Sequence, residues 1–277
     1  MSAVLTAGPP APASAQVLKV TQARVLRSEF TKCRSLRSTL YTLLTGVVLM
    51  IGVGALFSAV NASQYHTLSA AEKAGFDPVG VSLTGVTFGV VAFGVLGVLM
   101  MSGEYSTGMI RSSLTAVPRR LPVLWAKLAA FAASIFSISL IASFISFFLG
   151  QALLSSQHLN VAITAPGALR SVIGAALYIT VAGMIGVALG ALVRNTAAGI
   201  SAFAGVFFVI PQLTRLLPAS IGSHLTPYLP SNAGGVLWGG AANAPNALAP
   251  WTGFALLCGY AVVLIAAAAW RLRRADA

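Results

Sequence analysis

Six stretches of this chain, residues 40–60, 81–102, 128–150, 171–193, 195–214 and 251–270, contain no Asp, Glu, Lys or Arg. A helix rises 1.5 Å per residue and needs roughly 20 predominantly apolar residues to cross a hydrocarbon core of about 30 Å, so each stretch predicts one crossing. The chain therefore reads as an all-α membrane protein with six transmembrane helices. Composition leaves little room for a soluble domain: 8% of the residues are charged, against about 25% in soluble proteins.

The charges between the stretches orient them. With the N-terminus inside, the cytoplasmic side holds Lys19, Arg24, Arg27, Lys32, Arg34 and Arg37, then Arg111, Arg119, Arg120 and Lys127, then Arg194, and finally Arg271, Arg273 and Arg274. Only Lys73, Arg170 and Arg215 fall outside. Lys and Arg are retained on the cytoplasmic face, so both termini are expected there, in a plasma or inner membrane. The net charge of +12 is read as this bias and as contact with anionic lipid. It is not read as a nucleic-acid footprint, because the basic residues flank spans and no nucleic-acid motif accompanies them. Cys33 precedes the first span and Cys258 lies in the last, so a disulfide between them is not expected.

Residues 1–15 are uncharged and rich in Pro and Ala, as suits a flexible tail. Residues 16–39 read as an amphipathic helix: at 100° per residue Leu18, Val25, Leu26, Phe30, Cys33 and Leu36 share one arc, opposite Arg24, Arg27 and Arg34. Lys19, Glu29 and Arg37 intrude on the apolar arc. A helix lying in the inner interface is the preferred reading, and a solvated basic leader the alternative.

Within the spans, Gly85 and Gly89 form a small-xxx-small pair in the second, suited to close helix packing. In the third, Ser139, Ser143 and Ser146 share a face with Gly150. Those hydroxyls fit helix packing, or a weakly polar wall of a translocation path. Residues 216–250 are uncharged but broken by five prolines and several glycines. They form no seventh span and are read as re-entrant half-helices on the outer face.

The loop between spans two and three, residues 103–127, carries Glu104 with Arg111, Arg119, Arg120 and Lys127, and is punctuated by Pro118 and Pro122. This spacing predicts a short surface helix and then a proline break into span three. A solvated basic loop and a docking surface for a cytoplasmic partner are both consistent with it.

Four segments in order, SEFTKCRSLRSTLYTLL from Ser28, GEYSTGMIRSSLTAVPRR from Gly103, RNTAAGISA from Arg194 and TPYLPSNAGG from Thr226, resemble the permease subunit of ABC-2 type ATP-binding cassette transporters, in particular their actinobacterial branch. The resemblance runs from about Arg24 to the C-terminus. It implies a connecting helix that includes Glu29, Lys32, Arg34 and Arg37. It implies a coupling loop in which Glu104, Tyr105, Thr107, Gly108, Ile110 and Arg111, continuing through Arg119 and Arg120, dock on a separate ATPase. It further implies a homodimer, or a heterodimer with a second permease, above two ATPase subunits that hold ATP and Mg. The outer segment departs from the family pattern in being rich in Pro and Gly and wholly uncharged.

The chain's own residues agree on the energy source. It has no G-x-x-x-x-G-K-[ST] loop, and no Gly-Lys pair anywhere, so it holds no cofactor of its own and is not expected to be an enzyme. His66, His158 and His224 all fall in outer segments, and the spans lack the ionisable groups on which ion-coupled carriers depend. A channel or a non-transporting membrane scaffold are the alternatives to an exporter permease. The uncharged spans and outer segment favour an apolar or amphipathic cargo.

Overall fold

The computed structural model describes residues 37–106, 120–240 and 246–274. The tail 1–15 and nearly all of the amphipathic segment 16–39 lie outside these residues, as do 107–119 of the coupling loop. The described chain is helical and contains no strand.

Its helices are α1 (Arg37–Gln64), α2 (Ala70–Ala74), α3 (Pro78–Ser82), α4 (Val86–Ser106), α5 (Arg120–Leu154), α6 (Ala168–Val193), α7 (Thr196–Ala204), α8 (Ile210–Leu213), α9 (Ala219–Leu225), α10 (Pro230–Gly235) and α11 (Pro250–Arg274). A π-helical turn, Gly205–Val209, joins α7 to α8. Six helical runs among the described residues are long and apolar enough to cross a membrane: α1, α4, α5, α6, α7 continued to Leu213, and α11. The protein is thus a multi-pass helical membrane protein, with Leu44, Val48, Phe57, Val262 and Val263 among the large apolar side chains on its surface.

Helix α6 is the hub, packing against α4, α5, α7 and α11, while α1 lies across α4 and α5. In lipid, apolar side chains gain little by leaving the bilayer for one another, so close backbone approach through small residues decides which helices associate. The α4–α6 seam is built this way. A Cβ on Gly97 would strike the carbonyl of Gly183, one on Gly186 the carbonyl of Gly94, and one on Gly190 would come within 2.6 Å of the Val98 carbonyl. Gly94 also leaves the notch that the Phe203 ring of α7 fills.

The second span is not the single helix expected over 81–102. It is interrupted at 83–85, between α3 and α4. Asp77 caps α3 by accepting from the Val79 N–H at 3.0 Å, and Pro78 stands at its start, where no N–H is needed. At Gly85 a side chain would collide with the Met50 carbonyl of α1. The interruption leaves the Ser82 carbonyl without a helical donor, and α5 donates to it and to Pro78 O, which also accepts the Ser82 hydroxyl at 2.8 Å. Ser146 Oγ donates to Ser82 O at 2.7 Å, and Gln151 Nε2 donates to Pro78 O at 3.0 Å. Gln151 Oε1 in turn accepts the Val161 N–H at 2.8 Å.

The third span also departs from expectation. Pro122 does not break the chain ahead of it, because α5 already begins at Arg120. A proline in the first turn of a helix removes no intrahelical hydrogen bond. The span-length run Leu124–Gln157 consequently takes in Lys127, which lies buried near its start.

After Leu213 the chain forms two short helices, α9 and α10, joined by a 3-10 turn. Thr226 Oγ1 donates to Gly222 O at 2.7 Å, Asn232 Nδ2 to Thr226 O at 2.8 Å, and Tyr260 OH of α11 to Tyr228 O at 2.8 Å. Gly234 fits against the Tyr178 ring of α6, and Gly253 of α11 against the Ala233 carbonyl, so α10 is wedged between those two helices.

Candidate functional site at the basic end

Successive spans run antiparallel, which separates the bundle into two ends. Ser102 meets Thr196 at one, and Gly150 meets Ser58 and Ser82 at the other. The first end carries Arg194, Arg271, Arg273 and Arg274, with Lys127 buried below its surface. The other carries Glu72, Lys73, Asp77 and Arg170.

At the basic end a hydroxyl pair fixes α4 to α7. Ser102 Oγ donates to Val98 O at 2.9 Å and accepts from Thr196 Oγ1 at 2.9 Å. The turn between α6 and α7 contains only Arg194 and Asn195. Asn195 caps α7 by accepting the Ala198 N–H at 3.0 Å. Arg194 closes α6 in the left-handed conformation, φ 58°, with its N–H bonded to Gly190 O at 3.0 Å. That conformation suits Gly or Asn, and for an arginine it costs about 1 kcal/mol.

The Arg194 guanidinium lies over the Tyr105 ring, its Cζ 5.0 Å from the centroid. Its Nε is enclosed without a hydrogen-bond partner among the described residues. A second arginine covers the end of α6: Arg271 Nη1 donates to Leu192 O, placing positive charge where the helix macrodipole is negative. Arg274 stacks on Trp270 of the same helix, 4.6 Å from the ring centroid.

Of the expected coupling residues, Tyr105 is thus placed against the α6–α7 turn. Glu104 precedes it in the last turn of α4, and Arg120 begins α5. Thr107, Gly108, Ile110, Arg111 and Arg119 lie outside the described residues, as do Glu29, Lys32 and Arg34, whereas Arg37 opens α1. Ser139, Ser143 and Ser146 are fully buried in the bundle. Ser139 Oγ donates to Ile135 O at 2.7 Å and also approaches Ala176 O of α6 at 3.5 Å. Within the single chain the Ser139 and Ser146 hydroxyls occupy helix contacts, while Ser143 Oγ is enclosed without a hydrogen-bond partner among the described residues.

The partnership of Tyr105 with Arg194 is not readable from the residues, where Arg194 stands as an inner charge and as the first residue of the RNTAAGISA segment. A signal was present, since a lone arginine between two apolar runs must close one helix in the space of two residues. A shallow apolar groove of about 390 Å³ runs between α1 and α4, lined by Tyr41, Thr45, Leu49, Phe88, Val91 and Val95. Among the described residues no three His, Cys, Asp or Glu side chains gather as a metal site would require.

At the opposite end, the Ser69 hydroxyl and then the Ser69 backbone N–H bond the Glu72 carboxylate and hold it below its ordinary pKa of 4.5. His66 Nε2 meets Gln157 Oε1 at 2.7 Å, linking the turn after α1 to the turn after α5.

No protein-family model matches the chain, and no curated protein matches it.

Proposed function

We propose that this chain is the membrane-spanning permease of an ABC-2 type exporter, driven by a separate ATPase. The observation that carries the reading is the placement of ionisable groups. The described histidines and carboxylates with assigned side-chain positions, His66, His158, His224, Glu72 and Asp77, all lie at or beyond the end opposite the arginines. Glu104, in the last turn of α4, and Lys127, near the start of α5, sit at the basic end, and deeper in the spans there is no carboxylate or histidine with which to couple cargo movement to protons or sodium, which favours work delivered from outside the bilayer. The ordered sequence segments that resemble ABC-2 permeases supply the candidate source.

In this reading both termini are cytoplasmic, in the plasma or inner membrane, and the basic end faces the ATPase pair. ATP and Mg are held by that pair. Two copies of the chain, or one with a related permease, enclose the path, and α9 and α10 serve as re-entrant half-helices over its outer mouth. Closure of the ATPases pushes the loop after α4, and the Tyr105–Arg194 and Ser102–Thr196 contacts pass that displacement to α6 and α7 as a rigid-body shift. The buried positions of Ser139, Ser143 and Ser146 argue against the channel alternative, because a pore through one chain would need them accessible to water.

The test is capture of the tagged chain from mild detergent, followed by identification of its partners and an ATPase assay. A stoichiometric Walker-motif subunit with activity is the expected result; a chain that emerges alone under several gentle conditions restores the channel and scaffold alternatives. Joint replacement Glu104→Gln and Arg111→Gln is expected to leave expression intact and to separate ATP hydrolysis from transport. Unchanged transport in that double variant would remove the coupling role of the loop.

A further inference from the structure

We infer that the α6–α7 turn and the end of α11 form a binding site for the headgroup of an anionic phospholipid, with Arg194 as its principal ligand and Arg271 and Arg274 beside it. The inference does not depend on the chain being a transporter.

Charge is the first ground. Cations dominate this end: Lys127, Arg194, Arg271, Arg273 and Arg274 gather there against one acid, Glu104 in the last turn of α4. Glu72 and Asp77 belong to the other end. Arg271 spends one donor on the Leu192 carbonyl and Arg274 rests on Trp270, whereas the Arg194 guanidinium makes a ring contact and no hydrogen bond among the described residues. A guanidinium offers five N–H donors in a fork matched to phosphate oxygens.

Backbone strain is the second ground. Arg194 occupies a left-handed position that glycine or asparagine would fill more cheaply. The helix-end charge and the Tyr105 ring offset this strain, and a strained cation whose guanidinium has no hydrogen-bond partner among the described residues points to a role in function.

Depth decides the class of anion. Only two residues separate α6 from α7, and both helices belong to membrane-length runs, so the turn cannot project far beyond the ends of its spans. The Ser102–Thr196 bond holds the end of α4 at the same level. Trp270 is exposed on α11 next to the arginines, and exposed tryptophans settle at the headgroup boundary. A cation held at that depth meets lipid phosphate before it meets any soluble partner, and basic pockets between helix ends on this side of a membrane are suited to anionic headgroups.

The experiment compares thermal unfolding of the full chain in nanodiscs of phosphatidylcholine alone with discs that also contain phosphatidylglycerol. The parent and the variants Arg194→Gly and Arg273→Gln are measured in both. Glycine relieves the left-handed strain as it removes the ligand, so Arg194→Gly is expected to unfold at the parent temperature in phosphatidylcholine. Phosphatidylglycerol is expected to raise the parent's unfolding temperature by roughly 3 °C, and Arg194→Gly to lose at least half of that rise while Arg273→Gln keeps most of it. Inorganic phosphate added to phosphatidylcholine discs is expected to produce no comparable rise.

An equal response of parent and Arg194→Gly to phosphatidylglycerol overturns the site and leaves the carboxylates of a cytoplasmic protein as the anion Arg194 meets. Equal destabilisation of Arg194→Gly in both lipids also overturns it, in favour of a structural role through Tyr105. A rise with inorganic phosphate as large as that with phosphatidylglycerol overturns the lipid as the source.

Discussion

The fourth and fifth spans follow one another across a two-residue turn and are alike in being apolar and uncharged, yet 72% of the most apolar stretch of α6 is buried and only 22% of that of its successor. Hydrophobicity does not separate them. Along α6, Gly183, Gly186 and Gly190 bring its backbone against α4. The fifth span offers Gly199 against Val98 but relies mainly on Phe203, whose ring fills the Gly94 notch and stacks on Phe207 with centroids 4.6 Å apart. Its regular hydrogen bonding is interrupted by the π-helical turn, and Pro211 lacks an N–H just beyond it. In a bilayer, backbone proximity makes one helix a fixed spine, while its successor is held through side chains, chiefly Phe203 in the Gly94 notch and the Thr196–Ser102 bond.

The contrast is most severely challenged at the seam. Gly97→Leu forces a branched side chain where even a Cβ strikes the Gly183 carbonyl. A cost beyond the roughly 1–3 kcal/mol usual for overpacking is expected, with loss of the monodisperse folded peak on size-exclusion chromatography. A well-folded Gly97→Leu protein would show that α6 is not a fixed spine. Phe203→Ala tests the other side. About 3 kcal/mol of local stabilisation is expected to vanish, with faster hydrogen exchange over residues 199–213 and unchanged protection in α4 and α6. Loss of protection in both regions would mean that the two spans move as one body.

A smaller effect belongs to the interrupted second span. Ser146→Ala leaves Ser82 O without its donor from α5 and is expected to cost about 0.6 kcal/mol, the average for interhelical hydrogen bonds in membranes, read as a small drop in the denaturant midpoint. The smallest change concerns α2, remote from both regions. Because Glu72 ionises more readily in the folded chain, its capping box is fully stabilising above pH 4.5 and is lost as pH falls through the lowered folded value. Acid should therefore loosen residues 70–75 by hydrogen exchange, corrected for its intrinsic pH dependence, without altering exchange in α6 or the fifth span.

Much of this architecture was legible in the residues because charge exclusion from a bilayer is severe. The six runs and the gathering of most arginines at one end follow from it, whereas the five prolines between residues 216 and 250 account for the lack of a seventh span among the described residues there. The break at 83–85 was not legible, because an average over 20 apolar residues cannot register three that leave the helix. Asp77 followed by Pro78 was the available clue, a helix start placed ahead of the expected span. The π-turn was equally hidden, since Gly205 and Pro211 mark a weak point without naming its geometry. At the basic end the chemistry of single residues was readable, but the pairing of Tyr105 with Arg194 joins positions 89 residues apart that only the α4–α6 seam brings together.

The central place of α6 also has a bearing on biosynthesis. Its last residue is Val193, so more than two thirds of the chain must leave the ribosome before the seam can close. Until then the glycine face of α4 waits in the bilayer without the helix that covers it, open to lipid and to stray neighbours. A nascent chain that stalls ahead of α6 would leave three inserted helices with no keystone, a natural substrate for membrane quality control.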